Sequence, residues 1–188
     1  MYFYSDAQNL SEEINISEEI IANNILLSSG VDLNDVPIDI ESVMRNYDFT
    51  ICVIKSFAKK DICAGIAYSE KELAQLNIDR YFVFRRDIPN RDRRYFMSLA
   101  ISYFVMESKG KYYNKVFYNF DLVNEESIYS RIARVARAVL IPQKSLSALM
   151  MSPMINGLAQ AEKIDSVAKA FLVSNEIAKI RMKETGLI

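Results

Sequence analysis

A helical run that is apolar on nearly every side can only be a central element, because it has no polar face to turn toward water. Residues 93–108 are such a run. Its body, FMSLAISYFVME (96–107), follows the turn IPNRD (88–92) and a cluster of arginines: Arg85, Arg86, Arg91, Arg93 and Arg94. Any fold must therefore lay other elements against several faces of this helix. With 188 residues, 51% of them hydrophobic, the chain has the material for one domain or a domain with a small appendage.

The flanking segments predict what those elements are. Ser17 to Ser29 reads as a helix, with Ser17 as N-cap, Glu18 and Glu19 in the first turn and Gly30 as the stop. A short helix follows Pro37 and ends near Tyr47. Segments 49–57, 64–69 and 80–86 are rich in β-formers and of strand length, and together they predict a small sheet. After the central helix, 110–121 reads as an aromatic-rich connection. A second helix is expected over 125–141, ended by Pro142. QKSLSALM, a loop around Pro153 and Gly157, and short helices at 165–171 and 175–185 complete the chain. The order of helix, sheet and then helices predicts an α+β fold, with residues 1–142 as the main domain and 143–188 as a helical extension packed on it.

Charge is unevenly distributed. Residues 1–79 carry 14 acids against 5 bases, and residues 80–137 carry 12 bases against 6 acids. Either the two regions attract each other within the fold, or the basic one faces an acidic partner or DNA phosphates. Arg131, Arg134 and Arg137 recur every third residue, a spacing that spreads them over one broad helical face. A solvated face partly paired with the acidic N-terminal region is the simpler expectation.

The chain contains no histidine. That removes the commonest metal ligand, the Ser-His and Cys-His nucleophile pairs and the usual general base near neutral pH. Cys52 and Cys63 are too few for a structural zinc site and read as buried free thiols of a reducing compartment. Ser-x-x-Lys occurs at Ser56/Lys59, Ser108/Lys111 and Ser166/Lys169 in unlike contexts, as chance would place it. The five glycines have no phosphate-cradling spacing. The N-terminus lacks the pattern of a secretory signal, and no apolar run approaches the roughly 18 residues that span a bilayer. A cytoplasmic location without membrane partners is expected.

Three stretches, in order, resemble the ImmA/IrrE family of zinc metallopeptidases, which cut helix-turn-helix repressors, often on phages and mobile elements. The turn IPNRD and the helix RYFMSLAISY (94–103) are similar to the family's Pro-containing turn and R-F-T-L-A-H-E-L-G-H. ARVARAVLIP (133–142) is similar to A-N-x-F-A-x-x-L-L-M-P when one position is closed up. FLVS (171–174) with IRMKETGL (180–187) resembles the family's tail, and reads by itself as a helix-turn-helix outline with Ser174 as N-cap.

The resemblance implies a fold whose chemistry is missing. Two histidines four apart grip zinc in H-E-x-x-H, and the glutamate between them activates water. Those positions hold Leu99, Tyr103 and Ala100, and 127–142 contains no carboxylate; Arg131 stands in that region instead. The expectation is a catalytically inactive relative with no catalytic residue, no metal and no cofactor. It would bind a protein partner, such as a helix-turn-helix repressor, through the former substrate cleft. Leu99, Tyr103, Arg131 and Arg134 would line that cleft, with a sheet edge at Tyr81, Phe82, Arg85 and Arg86 where an extended partner segment could add on. The alternative is a nucleic-acid-binding regulator that uses the basic middle and the C-terminal helix pair. For an enzyme of another type the residues offer no nucleophile, base or metal set.

Overall fold

Local capping chemistry starts four of the eight described helices. The computed structural model describes residues 17–68, 80–107, 114–118 and 130–188. Helix α1 (Glu18–Ser28) begins where the Ser17 hydroxyl accepts from the Ile20 amide at 3.3 Å. It ends at Gly30, whose φ of +71° suits a residue without Cβ. Asp39 caps the short α2 (Ile40–Asn46) through the Ser42 amide. Asp48, at φ +58°, then turns the chain into strand β1 (Phe49–Ile54). Strands β2 (Ile62–Tyr68) and β3 (Arg80–Arg85) follow.

The long helix α3 (Asn90–Glu107) starts three residues before the expected position, directly after Pro89. Strand β4 (Lys115–Tyr118) lies within the segment expected to be a connection. Four residues, of which Phe117 alone is buried, are too short for periodicity to reveal, and this strand exists because β2 offers it a partner. Helix α4 (Arg131–Leu140) is capped by Ser130, whose hydroxyl accepts from the Ala133 amide at 3.2 Å. The expected helical residues 125–129 lie outside the described residues. Then come α5 (Gln143–Met151), α6 (Pro153–Asn156), α7 (Gln160–Phe171) and α8 (Asn175–Glu184). Thus QKSLSALM is helical, and α7 starts at Gln160 rather than 165.

The fold is α+β. The sheet is mixed, in the order β1-β3-β2-β4, with β1 parallel to β3 and β2 antiparallel to both β3 and β4. Gly65 permits the β2–β4 approach, since a Cβ there would stand 2.9 Å from the Lys115 carbonyl oxygen.

Helix α3 is the centre, as its apolar circumference requires. Eight consecutive residues from Tyr95 to Ser102 are buried. One face meets the sheet, with Phe96 against Phe117 and Phe104 edge-on to Phe49 at 5.5 Å. The opposite face meets α4, where the Ser98 hydroxyl donates to the Ala136 carbonyl at 2.7 Å. Val167, Phe171, Ile177 and Met182 of the C-terminal helices join the same buried cluster as α1, α3 and α4. Among the described residues no helix is long and apolar enough to cross a membrane.

Candidate functional site

The positions where the resembling family would hold zinc fall on the middle of α3. Leu99 is 6% exposed and Ala100 is fully buried, so both serve the core. Tyr103, one turn on, is half-buried, and the Lys115 ammonium of β4 lies 5.3 Å from its ring centroid. This cation–π contact ties the end of α3 to the sheet's β4 edge.

These residues do not fit a metal. Leu99 has no donor atom, Ala100 has no base, and Tyr103 offers a phenol already covered by an ammonium. Among the described residues no group of three or more His, Cys, Asp or Glu side chains could hold an ion. No catalytic step can be drawn through zinc with this donor set.

The basic residues near α3 are mostly engaged inside the fold. Arg134 meets Glu18 at 2.9 Å, and Arg131 approaches the same carboxylate at 3.9 Å. Burial pushes the Glu18 carboxyl up, but a backbone hydrogen bond and the two guanidinium groups outweigh it and hold its pKa below the ordinary value. Arg137, completely buried, pairs with Glu184 and donates to the Tyr95 hydroxyl at 3.4 Å. Arg181 donates to the Ile141 carbonyl at 3.0 Å and also pairs with Glu19. The other Glu19 oxygen accepts from the Gln143 amide at 2.7 Å, at the start of α5. The two glutamates that open α1 therefore clamp α4, α5 and α8 together.

Arg94, in the first turn of α3, donates to the Ile38 carbonyl at 2.8 Å, holding α3 to the segment before α2. Burial lowers its pKa, against the opposing pull of Asp39 and Glu41.

The expected edge at Tyr81–Arg86 is not an edge. Strand β3 lies between β1 and β2, so its ladder is taken on both sides. Phe82 is fully buried, between Ile51 and Ile66 in register. Arg85 is tied to Asp87 at 2.5 Å and to the Lys60 carbonyl, which leaves Arg86 as the exposed residue of this group. The reason is topological: β1 runs parallel to β3 and takes the outer place, which strand propensity cannot reveal.

Two features escaped the sequence reading. One is β1 itself as the sheet edge, with Thr50 and Val53 exposed beside Lys55, Lys59 and Lys60. The other is the pairing of Glu18 and Glu19 with specific arginines; the opposite charges of the N-terminal and middle regions were its only signal. No protein-family model matches the chain, and no curated protein matches it either.

Proposed function

We propose that this chain is a non-catalytic regulatory protein of the cytoplasm, on a framework of the ImmA/IrrE metallopeptidase kind. It binds a protein partner, such as a helix-turn-helix repressor, and alters that partner's DNA binding or assembly by occupancy rather than by cutting it. The observation that carries this reading is the filling of the three key positions of α3. Leu99 and Ala100 are core, and Tyr103 lies beneath a lysine, where catalysis would need two ligands and a base. Replacing buried polar ligands by Leu and Ala avoids leaving unpaired groups in the interior, so such a helix keeps the fold once the metal has gone. Free Cys52 and Cys63 suit a reducing compartment. Of the expected cleft residues, Arg131 is exposed and Tyr103 and Arg134 are half-buried; Tyr103 stacks with Lys115 of β4, and Arg131 and Arg134 are joined to Glu18.

The engagement of Arg80, Arg85, Arg94, Arg134, Arg137 and Arg181 within the fold weighs against DNA as the main ligand. The test is capture from the native host with the chain as bait, followed by intact-mass measurement of the bound protein. An intact partner, unchanged on incubation with added zinc, supports the reading. A partner cleaved in dependence on this chain overturns it.

A further inference from the structure

Strand β1 has an open side that nothing among the described residues occupies. The Ile54 carbonyl accepts from the Arg86 amide at 2.9 Å on the β3 side. Strand alternation then turns the backbone groups of Ile51 and Val53 outward. Among the described residues neither makes a backbone hydrogen bond on that side. Phe49 at the start of the strand is buried, whereas Val53 is 50% exposed. The run FTICVI contains no charge and no proline, and its register with β3 is unbroken. Within the strand itself, then, no charge, proline or bulge blocks the edge.

The end of this edge is positively charged. Lys55, Lys59, Lys60 and Arg86 are all exposed, and none makes an ion pair among the described residues. The Arg86 amide bonds Ile54, which sets Arg86 beside Lys55 at the end of β1. The Arg85 guanidinium donates to the Lys60 and Ile62 carbonyls, which sets Lys59 and Lys60 over the β3–β2 side of the same end of the sheet. Asp87 is taken by Arg85, which leaves Asp61 as the opposing carboxylate in the turn.

We infer that the β1 edge takes an extended acidic segment of a protein partner as a fifth strand. The segment's backbone pairs with Ile51 and Val53, its carboxylates meet Lys55 and Arg86, and Lys59 and Lys60 add positive potential at that end of the sheet. A polynucleotide fits less well, because its phosphate backbone has no donor for the outward carbonyl groups. A second copy of the chain fits less well too, since the same corner of its sheet brings Lys55, Lys59, Lys60 and Arg86 against Asp61, the single acid there unpaired among the described residues. The surface lies at the opposite edge of the sheet from Lys115 and Tyr103. It therefore stands independently of the cleft reading above.

The probe is a fluorescein-labelled peptide of alternating valine and threonine ending in three glutamates, followed by anisotropy at low salt. Saturable binding is expected. Val53→Pro removes an outward N–H at a site where an edge strand tolerates proline, and should weaken binding about tenfold or more. Lys55→Glu with Lys59→Glu should weaken it similarly and favour a peptide ending in three lysines. Should Val53→Pro fail to fold, the same peptide N-methylated at alternate residues removes the strand bonds from the ligand side and should lose binding. No binding of the parent peptide overturns the inference, as does binding that survives N-methylation. So does a 20-nucleotide single strand that binds tighter than the peptide and is displaced only by salt.

Discussion

The Arg137 guanidinium sits fully buried between α4 and α8, its Nε donating to both carboxylate oxygens of Glu184 at 3.1 Å. The two residues are 47 positions apart, and Arg181 on α8 extends the pair through Glu19 to α1. A charge with no exposed surface is tolerable only while its partner is present. Glu184→Ala should therefore cost about 3–5 kcal/mol in urea unfolding. Arg137→Met combined with Glu184→Leu should recover most of that loss. A double variant as unstable as the single one would mean that the pair does more than neutralise itself.

Glu18 gives a pH signature of the N-terminal clamp. Its folded pKa is depressed, so its contribution is fully present above the ordinary glutamate value, about 4.3, and fades as pH falls through the lowered folded value. The carboxylate is about a third exposed, and solvent screening limits the effect to under about 1 kcal/mol at neutral pH. Glu18→Gln should lose that amount near pH 7 and show a shallower fall in stability below about pH 4.3. Chemical denaturation at a series of pH values checks both the size and the sign.

Gly65 tests the placement of β4. A methyl group there would stand 2.9 Å from the Lys115 carbonyl oxygen, a backbone atom that cannot swing away. Gly65→Ala should destabilise by about 1–3 kcal/mol, as overpacking commonly does. It should also speed hydrogen exchange selectively at Val116 and Phe117. Uniform exchange changes across the sheet would contradict a local clash.

What was legible in the sequence was local. Ser17, Ser174 and Gly30 mark helix ends through bonds spanning three to five residues, and the apolar circumference of 93–107 marks α3 as central whatever surrounds it. The three longer strands carry enough β-formers to declare themselves. What was hidden depends on distant partners. Strand β4 is held by β2, more than forty residues earlier, and the hydrogen bond from Arg134 to Glu18 spans 116 positions. Composition set an acidic region against a basic one, but not which carboxylate meets which guanidinium. Strand order was equally out of reach. Tyr81 to Arg86 read as an edge, and only the parallel pairing of β1 with β3 shows that the edge is Ile51 and Val53.

The most direct test of the central claim is the zinc-to-protein ratio, measured by elemental analysis after purification with zinc present and exhaustive dialysis. With Leu99 and Ala100 in the core and Tyr103 under Lys115, the ratio should fall far below one. One zinc per chain surviving dialysis would contradict the account, because it would require a ligand set that α3 does not carry.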